Sequence, residues 1–441
     1  MKRSILALSL LGASFSTVAD FAFHPSGSNL TYGAVGNHQS LTAYTNNPAV
    51  GSSALDTDDW YFGMGLLTSI GIGAEVGPVN NFVDQVDSLQ KQLKDFNDSE
   101  TQSIDAITQI KNDFDSFLIE AGESGRAQVN AAIQAPLFPI VWSSRETLGG
   151  SLVLDANAAA LSELRILDRP IEYNPLGEGS GILQTNTAVY LKTGMVGEFS
   201  LGYSRPVLEM DEGVLHAGVR GALYQVGLNK ILVGLLQMED GADDILKKEL
   251  EDAQDTTLQT GFGVDLGVLW TARNYRLGAW LKNANSPSFE YDTMGGNCES
   301  IATGTDQDSC HIARSFADEL ALGETYTMDA QVTLEASVYS TSRDFVASFS
   351  ADSSPVNDPV GNEIQWVTAS AGYATTSWII PGVRVGYRKN LAGSQLSAVS
   401  GGITLFNVMH LDALYGLEKV EIDGTSTPRM FQANLGFSLL F

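Results

Sequence analysis

The chain has 441 residues, 17% of them charged, and its 52 acidic against 25 basic residues give a formal net charge of −27. That sign excludes nucleic acid as a natural partner, because a phosphate backbone is bound by the opposite charge. Past the N-terminal segment no apolar run is long enough for a membrane helix, so only a closed β-barrel would carry this chain across a bilayer.

Lys2 and Arg3 precede an apolar stretch from Ile5 to Phe15 and the small residues Thr17-Val18-Ala19. This is the pattern of a secretory signal peptide over residues 1–19, with cleavage expected before Asp20. Residues 20–58 are rich in Gly, Asn, Ser and Thr and contain Gly33-Ala34-Val35-Gly36 and Asn46-Asn47-Pro48-Ala49-Val50. Proline fixes a turn and asparagine bonds its own backbone, which suits an irregular hatch folded inside a lumen. A plain surface loop is the alternative. Residues 59–441 are then the barrel.

The apolar stretch 60–74 is a misfit: as a fifteenth strand it would break even parity, so either it lies in the lumen or another strand assignment is wrong. From 79 to 135 the period is helical. Val86, Leu89, Leu93 and Phe96 form one stripe, and Ile104, Ile107, Lys111, Phe114 and Leu118 nearly form another. Ser99 and Gln102 have capping-box spacing, so an αα-hairpin with acidic outer faces is expected. It would cover a barrel mouth or dock another envelope protein. A second helical insertion is expected at 236–253, whose acidic cluster lacks EF-hand spacing and reads as a solvated face.

Elsewhere apolar and polar residues alternate in runs of membrane-strand length. In 327–339, Met328, Val332, Leu334 and Val338 oppose Asp329, Gln331, Glu335 and Tyr339. The pattern predicts an all-β transmembrane barrel of about 14 antiparallel strands: 134–145, 148–162, 182–192, 196–205, 213–228, 256–272, 275–284, 327–341, 344–351, 363–374, 379–389, 396–406, 409–418 and 430–441. Counted back from a periplasmic C-terminus, short connections fall inside and the long ones, 229–255 and 285–326, fall outside. Trp270, Tyr275, Tyr339, Tyr373, Trp378 and Tyr387 sit near strand ends, as interfacial girdles would. The polar faces give an expected lumen lining of Arg220, Asp265, Arg276, Lys282, Asp329, Glu335, Arg384 and Arg388. Charges inside a barrel pair with one another or with a plug.

Cys298 and Cys310 lie in one long external loop, in an oxidising compartment, and are expected to form a disulfide. No metal site, cofactor or C-x-x-C motif is expected. The five histidines show no paired spacing and no nucleophile elbow appears, so an enzyme is not expected. His216 would face the lumen beside Arg220 in a structural role.

The last residues alternate without a fault, with Phe437, Leu439 and Phe441 on the apolar face. This resembles the C-terminal signature strand of Gram-negative outer-membrane barrels, which implies the barrel-assembly machinery as a partner and lipid as the surroundings. Asn47, Pro48 and Ala49 match the hatch signature of the FadL-type superfamily of outer-membrane channels. The stretches Gly261–Tyr291 (GFGVDLGVLWTARNYRLGAWLKNANSPSFEY), Ile380–Leu391 (IPGVRVGYRKNL) and Ser397–Leu405 resemble the outer-membrane family named conjugal transfer protein TraF. That name is shared with a thioredoxin-like pilus-assembly protein, whose fold nothing here resembles.

Two functions follow from these readings. The first is passive uptake of small, hydrophobic molecules through the barrel, as the FadL-type resemblance implies, although the mixed-charge lining argues against fatty acids. The second is a barrel serving a conjugation or envelope assembly, with partners docked on the acidic helices of 79–135.

Overall fold

The computed structural model describes residues 23–33, 40–56, 59–99, 104–173, 183–237, 257–301, 305–375 and 377–440. Residues 1–19, residues 238–253 of the insertion expected at 236–253 and Phe441 lie outside them, as do residues 34–39 of the hatch.

Fourteen antiparallel strands close into a barrel. In chain order they are β1 (Trp60–Val76), β2 (Arg126–Gln134 continued by Leu137–Ser144), β3 (Gly150–Leu167), β4 (Ala188–Met210), β5 (Gly213–Gly234), β6 (Gln259–Ala272) and β7 (Tyr275–Lys282). Then follow β8 (Gln331–Tyr339), β9 (Phe345–Asp352), β10 (Trp366–Tyr373), β11 (Gly382–Asn390), β12 (Ser397–Leu405), β13 (Met409–Gly416) and β14 (Met430–Leu440). Closure is made by β1 against β14, from Gly63 opposite Leu440 to Glu75 opposite Met430. No described strand of the barrel is left with an open edge, as hydrocarbon requires.

The expected count was right through two compensating errors. Residues 60–74 are a wall strand. Their period is broken by irregularities between Gly65 and Leu67 and between Leu67 and Ile70, and each slip exchanges the faces of the residues that follow. Conversely, residues 188–192 and 196–205, from two expected strands, belong to one strand, β4, which runs through Thr193-Gly194-Met195. The helical pattern was also carried too far, since residues 126–134 pair with β1 and β3. The strand they belong to is interrupted at Ala135-Pro136, where proline has no N–H for the ladder.

Polarity is inside out. Leu266, Val268, Leu334, Val338 and Val385 are exposed on the outer wall, while Arg220, Asp265, Glu335, Arg384 and Ser348 are buried inward. Tyr339 corrects the girdle assignment. It points into the lumen, buried with Tyr32 and Val346, because it shares the polar face of β8. At one end the connections are short: 145–149, 211–212, 273–274, 340–344 and 406–408. Residues 374–381 also connect strands at that end; at the other, all connections but 391–396 are long, which places that end outside the cell.

The hairpin β4–β5, of 23 and 22 residues, spans roughly 75 Å at about 3.3 Å per residue, well beyond a bilayer. Its external extension carries Val189, Leu191 and Ile231, against which two helices pack, α2 (Phe82–Asn97) and α3 (Ile104–Ser124), α1 being the turn Asn29–Tyr32 of the hatch. Val86, Leu89, Leu93, Phe96, Ile107 and Phe114 are buried there, so the apolar stripes of both helices face the barrel. Cys298 and Cys310 form a disulfide with Cα atoms 5.6 Å apart, tying the external loop to α4 (Thr305–Ser315).

Candidate functional site

The hatch, residues 23–33 and 40–56, lies inside the barrel with nearly every side chain buried. Its sequence is short on apolar mass, so hydrogen bonds position it. Asn47 donates from Nδ2 to Glu335 Oε1 at 2.6 Å and to the Val268 carbonyl at 3.1 Å, while its Oδ1 accepts from the Ala49 N–H at 2.9 Å. The Asn47-Pro48-Ala49 turn fits a notch made by Gly218 on β5 and Gly267 on β6, which are register partners. A Cβ on Gly218 would lie 2.4 Å from the Pro48 carbonyl carbon, and one on Gly267 would lie 2.1 Å from Asn47 Oδ1. Only glycine leaves that space.

The expected lumen charges pair with one another or with the hatch. Arg220 meets Asp265 at 2.7 Å and also donates to the Thr45 carbonyl. Arg276 donates to the Ser53 hydroxyl at 2.6 Å. Arg384 is bidentate on Asp412, which also accepts from the Thr31 hydroxyl at 2.7 Å. Lys282 and Arg388 line chambers described below. Asp329 lies just before β8 and is exposed at a chamber rim, so it is not part of the buried wall. Phe437 and Leu439 lie partly exposed on the outer face of β14.

Several partners were not legible in the sequence. His216 shares a hydrogen bond with Ser52 at 2.8 Å and has its other ring nitrogen 3.2 Å from Asp56. The three residue types are those of a hydrolase triad, but the imidazole is fully buried and Asp56 is also held by the Thr271 hydroxyl at 2.6 Å. The arrangement fastens the end of the hatch to the wall. At the opposite wall His24 bridges Asn130 and Asn434 at 2.7 and 3.0 Å.

Three chambers run along the hatch from the loop end to the turn end. The outer one is bounded by Phe23, Tyr224, Met328, Val356, Ile364 and Lys282, beside a buried apolar cluster that includes Val196, Phe289 and Val360. The middle one, a cavity of about 80 Å³, lies between Asn29, Asn46, Trp280, Lys282, Trp366 and Arg388. Lys282 and Gln331 belong to both walls, so the two adjoin. The inner one lies below α1, among Tyr32, Arg384, Thr404 and His410. Burial pushes the Tyr32 phenol up to about 12, against the opposing pull of Arg384, so it is a neutral hydroxyl there.

The external loop 353–365 folds inward over the outer chamber. Asp358 accepts from Gln128 Nε2 at 3.0 Å and from the Asn362 and Val360 N–H groups at 2.8 and 3.0 Å. Asn362 in turn accepts from Arg126 at 3.1 Å and donates to Glu163.

Fold and site together define an outer-membrane β-barrel whose lumen is filled by its own N-terminal hatch. The chain belongs to the family described as "F plasmid transfer operon, TraF, protein", whose pattern matches residues 43–352. No curated protein matches it. Among solved structures it is similar to the toluene transporter TodX of Pseudomonas putida, at 11% identity and TM-score 0.39 over 96% of this chain and 97% of that one. It is similar to the toluene transporter TbuX of Ralstonia pickettii at 10% identity and TM-score 0.39, over 96% and 99%. A FadL homologue of Pseudomonas aeruginosa matches at 11% identity and TM-score 0.35, over 97% and 98%.

Proposed function

We propose that the protein is a passive outer-membrane channel for small, largely apolar molecules, working after removal of residues 1–19. The observation that carries this reading is the series of three chambers beside the hatch, beginning in an apolar cluster at the loop end. A solute would be gathered by the outer chamber, whose wall sets Phe23, Met328 and Ile364 beside Glu198, Asp329 and Asp358, pass the middle chamber, and leave when α1 shifts off the inner one. The hatch does no chemistry. It is held by many separate polar contacts and by buried Leu41, Tyr44 and Val50, so a solute would pass by shifting one part of it rather than by releasing the whole.

The test is flux of a small neutral solute into liposomes holding the purified barrel, with and without residues 20–58. Faster flux after the deletion supports the channel. Equal flux from both forms would turn the reading toward the assembly role, which the family's description favours. In that role a partner would meet the outward residues Asp95, Asp98, Asp105, Glu120 and Glu123 of α2, α3 and their junction, since the apolar stripes are already buried.

A further inference from the structure

Lys192 on β4 and Lys230 on β5 are register partners on the external extension of that hairpin, and both are buried. Like charges directly opposite each other repel. Glu324, from the external connection between β7 and β8, stands between them. Its Oε1 is 2.6 Å from the Lys192 ammonium and its Oε2 is 3.6 Å from that of Lys230. Lys230 also donates to the Ala321 carbonyl at 2.8 Å, and the two ammoniums lie 4.7 and 5.4 Å from the centroid of the Tyr291 ring. Other carboxylates of this end are engaged elsewhere, Asp358 with Gln128 and Asn362, and Glu163 with Arg165 and Asn362.

Glu324 heads a segment that walls the outer chamber. Thr325–Thr327 pairs with Ser288–Glu290 in a two-stranded ribbon, and Tyr326 and the adjoining Met328 line the chamber. The other strand of the ribbon is fastened to β6, because the Glu290 N–H and carbonyl both bond the Gln259 side chain. Ahead of Glu324 the segment is rooted by Phe316, which is buried among Ala188, Tyr190 and Leu232 of the hairpin. Tyr291 donates its N–H to the Glu324 carbonyl at 2.9 Å and its hydroxyl to the Pro359 carbonyl, so the same knot reaches loop 353–365.

We propose that Glu324 is the latch of an extracellular lid. Segment 317–328, with loop 353–365 tied to it, closes the outer chamber while Glu324 bridges the two lysines, and lifts when the bridge breaks. The root of the lid and its tip are held by different forces. Phe316 stays on the hairpin, because leaving would return its apolar surface to water. The tip is held by charge, and the Glu324 side chain is already 28% exposed, so water can take over its solvation on release. In the closed lid the paired lysines are tolerable because one carboxylate spans both. Without it their alternative partner is water, and lifting the lid supplies that water. The proposal gives a regulation to the channel reading and rests on that reading only for its effect on flux.

The test is the rate at which a small maleimide modifies Met328→Cys in the full barrel in detergent. Cys298 and Cys310 are bonded to each other, so the introduced thiol is the one that reacts. Adding Glu324→Gln, which keeps the shape and removes the charge, is expected to speed labelling at least about tenfold. Adding Lys192→Met as well is expected to reverse most of that gain, because a single lysine has no like charge opposite it. Lys230→Met alone is expected to label no faster than the parent, since Glu324 then serves Lys192 undivided. Heat-modifiable gel migration verifies that each variant is folded. If Glu324→Gln is not, Glu324→Asp, which keeps the charge and shortens the reach, takes its place with an expected rise of roughly threefold. An unchanged rate in the folded Glu324 variant, or no recovery on adding Lys192→Met, overturns the latch. Flux of a small neutral solute into liposomes is measured in parallel. Faster labelling without faster flux keeps the lid and removes the channel; flux with labelling unchanged by the Glu324 variant does the reverse.

Discussion

Asn47, in the hatch, donates a 2.6 Å hydrogen bond to Glu335, which stands on the eighth strand of the barrel 288 residues later. The carboxylate is buried, so the amide is what makes its position tolerable, and wall and hatch are interdependent at this point. Replacing Asn47 by Ala is expected to loosen the hatch by about 1.5–3 kcal/mol, the range for hydrogen bonds to charged groups. Faster proteolysis within residues 40–56 and more frequent conductance steps, with barrel migration unchanged, are the expected readouts. Unchanged proteolysis would mean that the other contacts suffice.

The glycine notch gives a steric test of the same contact. Gly218→Val places side-chain atoms where the Pro48 carbonyl now lies, while valine itself suits a strand. The barrel is expected to form with its hatch displaced, seen as loss of protection of residues 40–56 in hydrogen exchange. Retained protection would show that the notch is not a fitted seat.

Arg220 and Asp265 test the luminal ion pairs. Arg220→Met leaves Asp265 buried and uncompensated and is expected to cost about 3–5 kcal/mol, while adding Asp265→Leu restores much of it. The midpoint of heat-induced gel conversion reads the difference. A double variant no better than the single one would show that the pair does not act as a unit.

Loop 353–365 is expected to respond to pH through Asp358. Burial raises its carboxyl from the usual aspartate value of about 3.9 to about 6, against hydrogen bonds from Asn362 that lower it. Below pH ~4 docked and released loops are both protonated and docking carries no penalty. The penalty grows between ~4 and ~6 and is complete above, about 3 kcal/mol for a shift near two units. Docking is therefore tighter in acid, and opening should be more frequent at pH 7 than at pH 5. Asp358→Asn should abolish that dependence in planar-bilayer recordings; persistence in the variant would assign the pH response to another group.

The terminal strand offers a test in the cell. Phe441→Glu is expected to reduce outer-membrane assembly far more than Leu440→Glu, because the alternation puts Phe441 on the apolar face with Phe437 and Leu439. Equal yields of the two variants would show that this face is not read during assembly.

Features that depend on local period were legible along the chain. Alternation along 331–339, 382–390 and 430–440 gave wall strands with their faces right, because one residue type per face is the condition for separating lipid from lumen, whereas Met328 and Asp329 precede β8, Met328 buried beside the outer chamber and Asp329 exposed at its rim. Also legible were the two helices, the disulfide, and the hatch with its Asn47-Pro48-Ala49 turn. Features in which the period is broken, or the distance along the chain is long, emerge only when the barrel closes. Strand 60–76 stood out as an apolar misfit but not as a wall strand, because its bulges exchange the two faces midway. The notch of Gly218 and Gly267 is empty space, and empty space has no letter in a sequence until its occupant is placed beside it. The partners Arg384 with Asp412, His216 with Asp56, and Trp280 with Trp366 and Arg388 come from different strands or from the hatch. Barrel closure sets them at the same height, and no local pattern encodes which residues share a height.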